Sequence, residues 1–307
     1  MSDSFSDRVK AELIEIYSGT KAELSALIRM NGTLHIEENK ISVRIQFSLG
    51  SLARRIYSII KDKYGLKSEI IVRYNYNFKK DYSYEIVIVP QPELDDFLQK
   101  MGFLEDSHKP VFRIHKEIKK DRSRKTAYLR GAFLGGGSIN DPHGEYHLEI
   151  RCEHRVHAED LLSLLSDFDL EASMIEHKNK FVVYLKSFSL ITVFLNIIGA
   201  SRSQLEMENA RTVKKVKNET NRRVNAETAN LGRTVEAAQN QLEDIALIEK
   251  KKGLEELTDS LQEIAFLRRE NPYASLRELG EMLDPPLSKS GVNHRLRRIK
   301  KIAQNLQ

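Results

Sequence analysis

Glycines interrupt an otherwise helical pattern in Tyr128-Leu-Arg-Gly-Ala-Phe-Leu-Gly-Gly-Gly-Ser-Ile139. Leu129, Ala132 and Phe133 fall at helical spacing and predict one apolar stripe that passes straight into a strand. Glycine inside a helix costs ~1 kcal/mol relative to alanine, so Gly131 and Gly135, four apart on one face, need compensation. Close approach of a second helix, backbone against backbone, supplies it. The chain must therefore hold a partner helix with a small residue at the crossing.

The first two hundred residues contain that partner. A lead-in helix over Ser6–Tyr17, within residues 1–20, places Val9, Leu13 and Ile16 on one face. Thr20-Lys-Ala-Glu23 then opens a helix with a capping box, Thr followed three residues later by Glu. Strands follow over Thr33–Glu37 and Ile41–Ser48, joined across Glu38-Asn39-Lys40. A helix over Ser51–Ile60, strands over Glu69–Tyr74 and Ser83–Val89, and a helix over Pro92–Met101 complete the series. The same order returns as Lys125–Leu134, Ser138–Asn140, Tyr146–Cys152, Val156–Phe168, Ala172–His177, Phe181–Leu185 and Ser187–Ile198. A repeat of this length predicts two fused halves, 21–105 and 122–200, sharing one core within residues 21–200. The partner of the glycine-bearing helix is the first helix of the other half, where Ala26 matches Gly131.

Leu24-Ser-Ala-Leu-Ile-Arg-Met-Asn-Gly32 and Leu129-Arg-Gly-Ala-Phe-Leu-Gly-Gly-Gly137 resemble two degenerate copies of the LAGLIDADG motif of homing endonucleases. The resemblance implies that the motif helices form the interface between halves, beneath a saddle of strands. It also implies a metal-binding carboxylate at the penultimate motif position. Divalent cations that support phosphodiester cleavage need such oxygens. Here the positions hold Asn31 and Gly136, so no catalytic residue is expected and no metal or other cofactor.

From Ser201 the composition changes. Ser201–Val224 holds Arg202, Arg211, Lys214, Lys215, Lys217, Arg222 and Arg223 against Glu206, Glu208 and Glu219. Residues 201–253 read as a basic helical linker, in which Asn221–Asn230 interrupts the periodicity and predicts a linker or ordered loop. Helical pattern resumes over Glu236–Lys250 with Leu242, Ile245, Ala246 and Ile248, and Gly253 marks a boundary.

Residues 254–307 give the sharpest local signal. Leu257–Arg269 predicts a helix closed by Asn271-Pro272. Ser275-Leu-Arg-Glu278 is a capping box opening a short helix with Leu276, Leu279 and Leu283 inward. Asp284-Pro285-Pro286 forces a turn, and Ser288 caps a third helix with Val292, Leu296, Ile299, Ala303 and Leu306 along one stripe. Helix, short helix, turn and basic helix make a helix-turn-helix, whose last helix would enter the DNA major groove. Lys and Arg neutralise phosphates, and Arg and Asn can also bind base edges. The candidate DNA-binding residues are Ser288, Lys289, Ser290, Asn293, His294, Arg295, Arg297, Arg298, Lys300 and Lys301. A solvated basic face on an ordinary three-helix bundle is the plainer alternative.

The expected fold class is α+β, a duplicated αββαββα saddle followed by an all-α helix-turn-helix domain. That combination resembles the WhiA family of bacterial regulators over nearly the full chain. The most specific pieces are Gly131–Ser138, Asn221-Arg-Arg-Val-Asn225 through Asn230, Ser275–Leu283 and Leu287–Arg295. The resemblance implies a non-enzymatic, sequence-preferring DNA-binding regulator of cell division, chromosome segregation or sporulation-type transcription. Double-stranded DNA is the implied partner; other regulatory proteins and the oligomeric state stay open. The family commonly has a cysteine where Ala226 stands, so thiol chemistry there is not expected. Two rivals are a divergent metal-dependent endonuclease and a protein-interaction scaffold built on the saddle.

The remaining features carry less. The formal net charge of +5 permits an anionic partner without demanding one. No apolar run approaches ~20 residues and no secretory signal opens the chain, so membrane spanning is not expected. One cysteine, Cys152, fits a reducing cytoplasm, and a nucleoid association follows from the DNA reading. Cys152, His154, His157 and His147 match no usual zinc spacing; they read as a strand end leading into a helix with surface histidines. Gly135-Gly-Gly-Ser138 lacks the Gly-Lys-Ser/Thr ending of a phosphate loop. Lys116–Lys125 is either a solvated connector between the halves or a phosphate-contacting strap, with the connector favoured. Asp141 and Glu145 are not convincing substitute metal ligands.

Overall fold

A computed structural model describes residues 4–37, 40–75, 81–105 and 109–306. It divides into two compact units, with the boundary between Lys214 and Lys215. Among the described residues no helix is long and apolar enough to cross a membrane.

The first unit opens with α1 (Phe5–Ile16) and α2 (Lys21–Asn31), each started by a complete capping box, Ser4 with Asp7 and Thr20 with Glu23. The strands β1 (Gly32–Glu37) and β2 (Lys40–Phe47), the helix α3 (Gly50–Asp62), the strands β3 (Ser68–Asn75) and β4 (Asp81–Ile88), and α4 (Pro92–Met101) complete its first half. A short helix α5 (Lys116–Lys119) leads to the second half. There α6 (Arg122–Gly136), β5 (Gly137–Ile139), β6 (Leu148–Cys152), α7 (Arg155–Ser166), β7 (Ser173–His177), β8 (Lys180–Leu185) and α8 (Phe188–Ile198) repeat the series. Both sheets are antiparallel with equivalent strand orders, β1-β2-β4-β3 and β5-β6-β8-β7. The duplication read from the sequence is therefore a duplication of topology. The expected turn at Glu38 and Asn39 lies outside the described residues.

Alternation decides which sheet face is covered. Along β2, Ile41, Val43, Ile45 and Phe47 are buried, while Arg44 and Gln46 are exposed on the other face. The covered faces, α2 and α6 share one hydrophobic core running from Phe5 to Met207. Where α2 meets α6, a Cβ on Gly131 would strike the Glu23 carbonyl and lie 2.9 Å from the Ala26 Cβ. One on Gly135 would strike the Asn31 Oδ1 and lie 2.7 Å from the Met30 Cβ. Here the missing side chains permit the helix approach that offsets their cost in propensity. Across the same seam Arg130 donates to the fully buried Glu23 carboxylate at 2.7 Å. Removing either partner would leave the other charge buried and unpaired.

The helix α9 (Ser201–Lys251) begins in the first unit, where the buried Glu12 accepts from the backbone N–H groups of Arg202 and Ser203 at 2.7 and 3.0 Å. A carboxylate there satisfies donors that the first turn leaves unpaired and complements the helix dipole. The second unit holds the rest of α9, a 3₁₀ turn at Leu254–Glu256, α10 (Asp259–Glu270), α11 (Leu276–Glu281) and α12 (Lys289–Gln304). Its separate core includes Ile245, Ile248, Leu261, Ile264, Leu279, Leu296 and Ile299.

Several details differ from the sequence reading. Asn221–Asn230 is helical, part of an unbroken α9. Poor helix formers mislead there because the segment is the middle of a helix whose two ends are held by packing. Ile16 is exposed, and Tyr17 takes the buried place on α1's inner side because the chain turns to extended backbone at that residue. Ala246 is exposed, and Leu242, Leu276 and Leu306 are only half-buried, each at the margin of its apolar stripe. His157 is buried, since α7 turns that face inward together with Leu161 and Leu164.

Candidate nucleic-acid interface

In the second unit, α10, α11 and α12 pack through Leu261, Ile264, Leu279, Leu283, Val292, Leu296 and Ile299. The corner between α11 and α12 is tight: the Leu287 N–H donates to the Gly280 carbonyl at 2.9 Å. A Cβ on Gly280 would strike the Leu287 carbonyl, so this helical position needs glycine. The Ser288 hydroxyl then accepts from the Gly291 N–H at 3.3 Å and starts α12.

Beyond that cap the apolar stripe of α12 turns inward and its cations outward. Ser288, Lys289, Ser290, His294, Arg297, Arg298, Lys300 and Lys301 are exposed, and Asn293 is half-buried. Ser290, His294, Arg297 and Lys301 follow at spacings of four, three and four and so share one face. Among the described residues Lys289, Arg297, Arg298 and Lys301 have no carboxylate partner. Two of the candidates are differently placed. Arg295 is half-buried and turned to α10, donating to the Ser260 carbonyl and pairing with Glu263, both at 3.2 Å. Lys300 lies near Asp244; burial raises that carboxyl's pKa, and Lys300 offsets part of the rise. Both are candidates by charge and position on the helix, which contain no information about α10 and α9.

The open faces of the two sheets carry cations of another kind. Arg44 and Arg73 both approach the buried Glu85, at 3.6 and 2.9 Å. Arg151 pairs with Glu149 at 2.6 Å and Lys180 with Glu153 at 2.7 Å. Strand register puts these pairs on the faces opposite the core. The connector is spent internally as well: Lys119 pairs with Asp160, Lys120 and Arg124 with Glu117, and Lys125 with Asp167.

At the two positions where a nuclease would carry its carboxylates the structure places no charge, and at Gly136 no room for one. The Asn31 amide donates to the Gln46 carbonyl at 3.0 Å, which ties it to β2. Gly136 is closed over by the Met30 methyl group, and a Cβ there would lie 2.8 Å from the Arg151 carbonyl.

A buried polar group escaped the sequence reading. The Tyr128 hydroxyl and His157 Nε2 are 2.8 Å apart beneath α6 and α7. Burial pushes the His157 pKa down to about 3, assisted by the positive charges of Arg29 and His154. Beside it the buried Asp160 accepts from the Ile114 N–H at 2.7 Å and pairs with Lys119 and Arg113. A lone Asp or His on a leucine-rich helix has no spacing signal that marks it as buried. Burial also pushes the Cys152 thiol up to about 12. His147 hydrogen-bonds Glu149 and His154 stacks on Phe112, so these residues point to different partners. Among the described residues no three His, Cys, Asp or Glu side chains converge as metal ligands.

Comparison with known proteins covers all of these segments. Residues 18–104 match the WhiA N-terminal LAGLIDADG-like domain, 125–217 the WhiA LAGLIDADG-like domain, and 220–303 the WhiA C-terminal HTH domain. A probable cell division protein WhiA from Halothermothrix orenii is 53% identical, the match covering 99% of each chain. One from Alkaliphilus metalliredigens is 42% identical over 98% of this chain and 97% of its own. The crystal structure of full-length WhiA from Thermatoga maritima is 30% identical and aligns with a TM-score of 0.59, covering 99% of both chains.

Proposed function

The chain belongs to the WhiA family, and on that premise we propose that it is a non-enzymatic, sequence-preferring binder of double-stranded DNA. Its role would be regulatory, in cell division, chromosome segregation or developmental transcription, and its place at the nucleoid. The observation that carries the reading is the outer face of α12, where Lys289, Arg297, Arg298 and Lys301 stand exposed, without counter-charges among the described residues. Such cations release counterions from DNA when they meet phosphates. Ser290, Asn293 and His294, near the start of the helix, are the side chains placed to read base edges. Affinity for duplex DNA should therefore fall steeply with salt. Changing Arg297 and Lys301 together to Ala should weaken binding at least tenfold and flatten the log–log salt slope by about two. A slope unaltered by the double change would remove α12 from the interface.

Absence of nuclease activity is supported by Asn31 and Gly136, which offer no carboxylate oxygen for a divalent ion. Nicking of supercoiled plasmid in Mg²⁺ or Mn²⁺ that tracks the purified protein would overturn it. The paired cations on both sheets favour a second reading for the first unit, as a surface for protein partners.

A further inference from the structure

The part of α9 that belongs to the second unit carries a second cationic surface, distinct from α12. From Lys215 to Ala237 every residue of the helix is exposed, so its own unit does not explain its composition. Lys215, Asn218, Arg222, Asn225, Ala229 and Arg233 follow at spacings of three, four, three, four and four, and form one row along the helix. Of the two carboxylates of residues 215–235, Glu227 stands off this row, and Glu219 borders it, four residues after Lys215 and three before Arg222. Asn221, Ala226 and Gly232 flank it, so polar amides and small residues interleave with the cations.

Gly232 is the first independent sign of an outside occupant. Glycine and asparagine are poor helix formers, and a Cβ on Gly232 would meet nothing within 4 Å. Among the described residues no neighbour requires the missing side chain. Gly131 and Gly136 of α6 and Gly280 of α11, by contrast, each face a backbone atom that a Cβ would strike, and Gly135 faces the Asn31 and Met30 side chains.

A cavity with four cations in its lining, at the end of the row, is the second. Arg233 and Thr234 join Arg268, Ser275, Arg277 and Lys289 around a cavity of about 390 Å³ lined by no carboxylate. Arg268 is 2% exposed. Its Nη1 donates to the Ala274 carbonyl at 2.7 Å, but its Nε–H has no partner among the described residues. A buried guanidinium with an unused donor, beside Arg233 and Lys289 and an Arg277 that pairs with Glu281 at 2.9 Å, is matched by a phosphate group, which accepts several charge-assisted hydrogen bonds at once.

We propose that α9 from Lys215 to Arg233 is a second helix that contacts double-stranded DNA, and that the cavity at its end holds a backbone phosphate. The proposal rests on reading the second unit as DNA-binding. A continuous basic helix can lie along the major groove, where asparagine pairs with adenine edges and small residues allow close approach. The row supplies those three residue types in one line, and Lys289 places the start of α12 at the same cavity.

The test uses the full-length protein and a labelled duplex, with affinity read by fluorescence anisotropy across a salt series and helix content by circular dichroism. Arg222→Ala with Arg233→Ala should weaken binding at least tenfold and lower the salt slope by about two, with helix content unchanged. Gly232→Leu should keep or raise helix content, because leucine is a good helix former, yet weaken binding at least tenfold by blocking approach. Inorganic phosphate at constant ionic strength should compete with DNA on the unaltered protein more strongly than on the Arg222→Ala, Arg233→Ala protein. Both α9 variants binding like the unaltered protein, while Arg297→Ala with Lys301→Ala weakens it, would overturn this inference and leave the α12 reading standing. Loss of neither affinity nor slope in all three variants would sink both. Phosphate that stabilises the protein thermally without displacing DNA would make the cavity a site for free anions and also overturn it.

Discussion

Four cations on the sheets of the first unit and four on α12 of the second stand in opposite electrostatic situations. Arg44, Arg73, Arg151 and Lys180 each lie beside a glutamate, two of them sharing Glu85. Lys289, Arg297, Arg298 and Lys301 lie beside none among the described residues. Counting basic residues would rank the two surfaces as equals. What separates them is the counter-charge, because a cation already paired has less to gain from a phosphate. The paired cations of the saddle are held by its own glutamates, whereas an ordinary helix acquires an anion-seeking face by omitting acids.

The largest expected difference between the units concerns acid. His157 in the first unit has its pKa held near 3, below the ordinary value of about 6.5. As pH falls the unfolded chain takes up this proton first. The stabilisation is therefore intact above pH 6.5 and is lost progressively toward pH 3, by up to roughly 1.4 kcal/mol per pH unit. The one histidine of the second unit, His294, is exposed. Hydrogen exchange between pH 6.5 and 4.5 should show the first unit losing about 2–3 kcal/mol and the second much less. Equal losses would show that the buried Tyr128–His157 pair does not set the first unit apart.

A matched pair of double changes addresses the surfaces themselves. Arg297→Ala with Lys301→Ala on α12 should cost at least tenfold in DNA affinity, or about 1.4 kcal/mol. Arg44→Ala with Arg73→Ala on the sheet should change it less than twofold, while lowering stability by about 1 kcal/mol as Glu85 loses its partners. A comparable loss of affinity from both would erase the contrast. The smallest effect should come from Glu85→Gln, which releases both arginines. Non-specific binding should then tighten by about two- to threefold, with a steeper salt dependence. Unchanged binding at low salt would mean that geometry, rather than pairing, keeps the sheet away from phosphates.

Much of this arrangement was legible in the chain itself. The capping boxes at Thr20 and Ser275 located two helix starts, since each pairs two backbone donors with side chains three residues apart. Pro92 and Gly102 bounded α4 for equally local reasons, a ring that suits the first turn and a left-handed closing residue. Long-range facts were not legible. Nothing near Arg295 announces Glu263, and nothing near Asp160 announces Lys119, because each pair is made by packing between distant segments. Asn221–Asn230 was misread for the converse reason: its local preferences oppose the helix it occupies. Residues that contradict their own conformation are expected where function, rather than folding, has chosen them.

The Met30 methyl group over Gly136 also bears on how such a chain can change. Substituting aspartate at 136 alone would drive its Cβ into that methyl group and toward the Arg151 carbonyl, and Asn31 would still supply no charge. Aspartate at 31 would be isosteric with the asparagine, but a carboxylate at 136 would take a coordinated replacement of Met30, through intermediates weakened by overpacking at the seam that holds the halves together. Position 31 can change by itself; position 136 is locked to its neighbours and can change only with them.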